Sequence, residues 1–191
     1  MSDVLKPAHV QVLLLPGWMN SLAGHWQTEW ELIHRDHRVL QHDWVRPRRG
    51  DWLAAFQDHL LQQDEATEFV LVAHSLGCHL VGTWATFASL DLMKRIRGAL
   101  LVAPPDLEQV GLPAELSGWV PGMWCRLPFD SQVVASDNDP FASPEASKRM
   151  ANLWGSSLTW MHGAGHINAD SGLGDWPQGR SWVNEWIKEK Q

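Results

Sequence analysis

The sequence predicts an α/β protein with a mainly parallel sheet of about six strands covered by helices on both faces. Three observations carry that expectation. Short apolar runs alternate with longer amphipathic ones, so the hydrophobic period switches repeatedly between strand-like and helix-like values. The runs at residues 12–15, 69–73 and 99–103 are apolar almost without interruption, as in strands buried on both sides. The stretches directly after the apolar runs collect Pro, Gly, Asp, Ser and His, a turn composition that also contains most of the chemically capable residues.

In chain order, HVQVLLLP (9–16) reads as the first strand and HWQTEWELIHRD (25–36) as the first helix. RVLQHDW (38–44) is a second strand and DWLAAFQDHLLQQ (51–63) a second helix. FVLVAHS (69–75) is a third strand running into the helix GCHLVGTWATFASL (77–90), and GALLVAPP (98–105) is a fourth strand. QVVASDND (132–139) precedes the helix SPEASKRMANLW (143–154), and SLTWMHG (157–163) precedes RSWVNEWIKEK (180–190). No repeat, low-complexity tract or Gly/Ser linker divides the chain, so residues 1–191 are read as a single domain.

Composition narrows the function. Hydrophobic residues at 45% and charged ones at 19% are the balance of a folding globular chain. A formal charge of -7 without long acidic or basic blocks offers no footprint for nucleic acid or an anionic membrane. VRPRRG (45–50) reads as a solvated loop. The N-terminal apolar stretch, about six residues, is too short for a signal peptide or a membrane span and is taken as strand. Cys78 and Cys125 cannot form a disulfide framework, and are read as reduced thiols of a cytoplasmic protein. Thirteen tryptophans with no tyrosine are assigned chiefly to core and pocket walls, since indole carries a large apolar area and one donor.

In open parallel sheets ligands bind beyond the carboxyl ends of the strands. There lie PGWMNS (16–21), HSLG (74–77), APPD (103–106), SDNDP (136–140) and HGAGHIN (162–168). Ala73-His74-Ser75-Leu76-Gly77 matches a nucleophile elbow, G-x-S-x-G, with alanine in the first glycine position. The turn needs small residues there, and alanine meets the need. An alternative is that Ser75 only N-caps the next helix. The nucleophile reading additionally requires an acid and then a histidine downstream, and both are present.

Asp139 is the preferred acid because Pro140 fixes the turn behind it, with Asp137 as competitor. His166 is preferred over His162 because Gly163 and Gly165 let its loop reach back across the sheet edge. In this scheme His166 takes the Ser75 proton and Asp139 orients the imidazole. The backbone N–H groups of Leu76 and Trp18 form the oxyanion hole. His25, Trp26 and His74 are candidate pocket walls, and residues 104–128, with Trp119 and Trp124, a candidate cover. Trp26 and Trp30, four apart, equally fit one helix face packed on the sheet.

With these residues in place the chain resembles an α/β-hydrolase, and more narrowly the small serine hydrolases of the YdeN and retinoblastoma-binding-protein-nine family, in its bacterial branch. PGWMNSLAGHWQTEW, VAHSLG, ASDNDPF and HGAGHINADSGLGDWPQG carry the resemblance over essentially the whole chain. It implies a Ser-Asp-His hydrolase without metal or organic cofactor and does not name the substrate; the expected reaction is cleavage of small esters, or of amides or thioesters, through an acyl-enzyme on Ser75. Two rival readings remain. His34, His37 and His42 lie close in sequence, yet they cross from a helix end into a strand and should not converge on zinc. A hydrolase-fold binding protein that holds a protein partner with little catalytic activity is the other.

Overall fold

A computed structural model describes residues 9–188. The ends of the predicted single domain, including the first residues of the segment weighed as a leader, lie outside the described residues. Strands β1 (Val10–Leu15), β2 (His37–Arg38), β3 (Glu68–His74), β4 (Ile96–Val102), β5 (Ser131–Ala135) and β6 (Ser157–Trp160) form one six-stranded sheet in the order β2-β1-β3-β4-β5-β6. Every pairing is parallel; β3 runs in continuous register with β1, and its register with β4 shifts once, between Phe69 and Val70. Helices α1 (Trp26–His34), α2 (Arg49–Leu61), α3 (Leu76–Ala85), α4 (Leu90–Met93), α5 (Pro144–Trp154) and α6 (Pro177–Ile187) connect them. No described helix is long and apolar enough to cross a membrane.

The period-2 alternation of strand side chains explains why the strands had to be apolar throughout. Leu13, Leu15, Leu71, Ala73, Leu101 and Val133 face a core closed by Trp52 and Phe56 of α2, Trp84 of α3 and Trp154 of α5. Their neighbours Val12, Leu14, Val70, Val72, Leu100 and Val134 face a second core closed by Trp26 and Trp30 of α1 and Val183 of α6. The tryptophans therefore do serve mainly as core: six of them are among the largest fully buried side chains.

The second strand is much shorter than the predicted 38–44. Val39 still donates its N–H to Leu14 O, but Leu40 is exposed. The Asp43 carboxylate then accepts the N–H groups of Val45 and Arg46 and turns the chain away from the sheet. The region 104–128 is irregular apart from a 3₁₀ turn, Ala114–Trp119. It is pinned by Trp119 Nε1 to Pro47 O and by His79 of α3, whose Nε2 donates to Pro105 O at 2.7 Å. Trp119 and Trp124 accordingly pack on the α2–α3 side.

Candidate active site

The elbow forms where β3 meets α3. Ser75 has φ 53° and ψ −124°, a backbone state that L-residues avoid and that surrounding structure must impose. Two glycines make room for it. A Cβ on Gly77 would overlap the Leu15 carbonyl, and one on Gly17 would lie 2.6 Å from Ser75 Cβ. Although Ser75 stands at the N-cap of α3, its side chain makes no cap hydrogen bond. Instead Ser75 Oγ lies 2.9 Å from His166 Nε2. That disposes of the capping alternative.

His166 Nδ1 lies 3.0 and 2.9 Å from the two carboxylate oxygens of Asp139. Since a carboxylate only accepts, Nδ1 carries the proton and Nε2 is left free to accept from Ser75. Asp139 is 3% exposed at its side chain and His166 11%. Asp139 also accepts the Phe141 N–H at 2.9 Å, so the turn ahead of α5 fixes its carboxylate. The two loops that carry Asp139 and His166 are stitched together at other points as well. Ala164 N–H donates to Ser136 Oγ, Gly165 N–H to Asn138 Oδ1, and Gly163 N–H to Asp137 Oδ1.

The competing residues form a pair of their own. Asp137 Oδ2 lies 2.7 Å from His162 Nδ1, with both side chains largely in solvent. The Gly163 N–H first, and then His162, hold the Asp137 carboxyl below the usual carboxylate range. This pair joins the two loops to each other and makes no hydrogen bond to Ser75.

Leu76 is the first residue of α3, so its N–H is one of the four that a helix leaves without an internal partner. Trp18 follows Gly17, which packs directly on the elbow beside the Leu76 nitrogen. The turn continues through Met19 and Asn20, both left-handed with φ 67° and 64°. Asn20 N–H closes it onto Gly17 O at 3.1 Å.

The three candidate wall residues are placed differently from that expectation. Trp26 is 1% exposed in the second core and donates Nε1–H to Ile167 O at 2.8 Å. Packing, the alternative weighed for it, accounts for its position, because the same face also buries Trp30 and Trp176. His25 is buried and caps α1, its Nδ1 accepting from Gln27 N–H at 3.1 Å. His74 is buried beneath His166 and donates Nε2–H to the His166 carbonyl at 3.0 Å. The rings of His25, His74 and His166 follow one another at centroid spacings of 4.6 and 5.0 Å.

Burial first, then the Arg38 charge, pushes His25 down to about 3. Burial likewise holds His74 well below the ordinary imidazole value. Two neutral rings therefore underlie His166, so neither opposes a proton arriving on it. Phe141 was not singled out from sequence. Its ring stands edge-on to His166 at 4.6 Å and is 39% exposed. Its place two residues after Asp139 is the available signal in the sequence. Cys78 is fully buried, its thiol pushed up by burial. Among the described residues no group of three or more His, Cys, Asp or Glu side chains is arranged to hold a metal ion.

The family model described as serine hydrolase matches residues 12–185, and the chain belongs to that family. No curated protein matches the sequence. Among solved structures, a protein from Pectobacterium atrosepticum described as a YdeN-like hydrolase is similar at 27% identity and TM-score 0.79, over 93% of this chain and 90% of that one. The ydeN gene product of B. subtilis is similar at 21% identity and TM-score 0.72, over 94% and 99%. Est1E of Butyrivibrio proteoclasticus, with ferulic acid bound, shares the fold at 17% identity and TM-score 0.68, over 95% and 90%.

Proposed function

We propose that this serine hydrolase cleaves small carboxylic esters through an acyl-enzyme on Ser75, with Asp139 and His166 completing the triad. The observation that carries the reading is the continuous chain from Ser75 Oγ through His166 to the buried Asp139 carboxylate. The side chain most in need of activation thus faces the one imidazole whose tautomer is fixed for accepting its proton.

As Ser75 Oγ attacks the acyl carbon, its proton passes to His166 Nε2, and Asp139 stabilises the imidazolium. The carbonyl oxygen becomes negative and takes hydrogen bonds from the Leu76 and Trp18 N–H groups, each worth roughly 3 kcal/mol in sites of this kind. His166 then protonates the leaving alcohol. Water, deprotonated by the same nitrogen, releases the acid and restores Ser75. Phe141, half-exposed beside His166, supplies an apolar surface for the substrate. Ferulic acid on Est1E supports the reading, because a carboxylic acid is the class of product that ester hydrolysis leaves. The two free thiols fit a reducing compartment, and the cytoplasm is the proposed location.

Burst kinetics with p-nitrophenyl acetate and butyrate test this. A burst of nitrophenol matching the enzyme concentration, absent in Ser75→Ala, is the expected result. No release above background in either protein, together with no fluorophosphonate labelling of Ser75, would overturn it in favour of a hydrolase-fold binding protein.

A further inference from the structure

We infer that Arg38 is a positioning residue for the oxyanion hole, holding the turn that presents the Trp18 N–H to the site. The inference rests on the proposed acyl-enzyme mechanism, in which that N–H is a donor. Arg38 lies on the edge strand β2, far along the chain from the elbow, and its side chain is only 7% exposed.

A buried guanidinium needs acceptors for all its N–H groups, and where it finds them determines what it fixes. Nη1 donates to Asn20 Oδ1 and to the Ser21 carbonyl, both at 2.7 Å. Nη2 donates to Thr28 Oγ1 at 3.0 Å, and Glu31 Oε2 closes the far side at 2.7 Å. The turn is thereby bound to α1. Thr28 Oγ1–H reinforces the junction by donating to the Ser21 and Leu22 carbonyls. Ser21 Oγ–H reaches Gln27 Oε1, and Gln27 in turn donates to Val72 O of the central strand.

The turn needs such a holder. Met19 and Asn20 are consecutive non-glycine residues in the left-handed region, each disfavoured by sterics, so an unrestrained loop would relax out of this shape. Asn20 Oδ1 accepts from both Arg38 and the Ser21 N–H, which ties the strained residue directly to the guanidinium. Trp18 Nε1–H donates to Val45 O and Met19 N–H to Trp44 O, which hold the turn from its other side. Relaxation at residues 19 and 20 would be passed back through Trp18 to the Gly17–Trp18 peptide, which carries the Trp18 N–H. His25 stays neutral nearby, so no second cation competes for the same acceptors. The planar fork is what the site uses; a lysine ammonium would keep the charge but not the simultaneous reach to Asn20, Ser21, Thr28 and Glu31.

The test is steady-state kinetics and fluorophosphonate labelling of full-length Arg38→Met, Arg38→Lys and Asn20→Gly, each compared with wild type. Asn20→Gly removes the Oδ1 acceptor while tolerating the positive φ, and decides the matter if Arg38→Met does not fold. The expected result is a fall in kcat of about 100-fold for Arg38→Met and about 10-fold for the other two. KM should move less than about twofold and the pH at half-maximal kcat/KM should not shift, since His166 and Asp139 are untouched. Labelling should slow in proportion to kcat.

Amide hydrogen exchange supplies an activity-independent arm. Met19, Asn20 and Ser21 amides should lose protection in Arg38→Met, whereas Phe141 and Gly165 should keep theirs. Folded variants with wild-type kcat, or with raised KM alone, or with unchanged protection at residues 19–21, overturn the inference. A wild-type protein without burst or labelling would overturn the catalytic reading itself, and the exchange result would still say whether Arg38 holds the turn.

Discussion

Asp137 with His162 and Asp139 with His166 are two aspartate–histidine pairs drawn from the same two loops, one following β5 and the other β6. Both meet at hydrogen-bonding distance, 2.7 Å in the first and 2.9 Å in the second. The second is sealed from solvent on the acid side and passes its other nitrogen to Ser75. The first lies open and ends in a backbone contact to Gly163. A short aspartate–histidine contact therefore does not by itself distinguish the two pairs. Burial raises the value of the interaction, and only the second pair leaves an imidazole nitrogen facing the Ser75 hydroxyl, which is what the proposed mechanism requires.

The comparison predicts a steep order of effects. Ser75→Ala and His166→Ala should each lower kcat for p-nitrophenyl acetate by roughly 10⁵- to 10⁶-fold, leaving the far-ultraviolet circular dichroism unchanged. Asp139→Asn should lower it by about 10⁴-fold, because an amide can donate to Nδ1 and select the wrong tautomer. Asp137→Asn and His162→Ala should stay within about threefold of wild type. Equal damage from Asp137→Asn and Asp139→Asn would break the distinction between the pairs and overturn the assignment of the acid.

Stability sharpens the same contrast. The buried rings His25 and His79 have values pushed from 6.5 to about 3 and about 4, and His74 is lowered as well. Below pH 6.5 the unfolded chain takes up protons that these rings refuse in the folded state, so stability should fall as pH drops from 6.5 toward 4. His25→Asn keeps an N-cap acceptor and should flatten that slope in thermal melts. A slope unchanged in this variant would mean that His25 takes up its proton alike in the folded and unfolded chain, so that burial does not lower its value. At the elbow, Ser75→Gly should be about 1 kcal/mol more stable than Ser75→Ala in urea titrations, since glycine tolerates the backbone that Ser75 is forced into.

The smallest effect belongs to the exposed pair. The depressed Asp137 value contributes stability present above the ordinary carboxylate range and lost as pH falls through the folded value. Asp137→Asn should therefore lower the melting temperature slightly at pH 7 and not at all in strong acid. A large drop at pH 7 would show that the exposed pair carries the loop geometry on which His166 depends.

The chain alone determined the layers of the fold, because continuous apolar runs alternating with amphipathic segments admit few arrangements other than a parallel sheet between helices. It also singled out Ser75, and it brought forward Asp139 and His166 from turn chemistry at Pro140, Gly163 and Gly165. It overestimated β2, which ends at Arg38: the apolar run Val39-Leu40 looks strand-like in sequence, yet Leu40 is exposed and the chain turns at Asp43. It could not separate a pocket-facing Trp26 from a core one, because a helical stripe looks the same whichever surface covers it. Only the tertiary structure decided which Asp–His pair is sealed and linked to Ser75, that Phe141 stands beside His166, and that the Arg38 guanidinium hydrogen-bonds Asn20, Ser21 and Thr28. Those facts depend on where loops distant in sequence meet, and local periodicity carries no record of distances between residues separated by tens of positions.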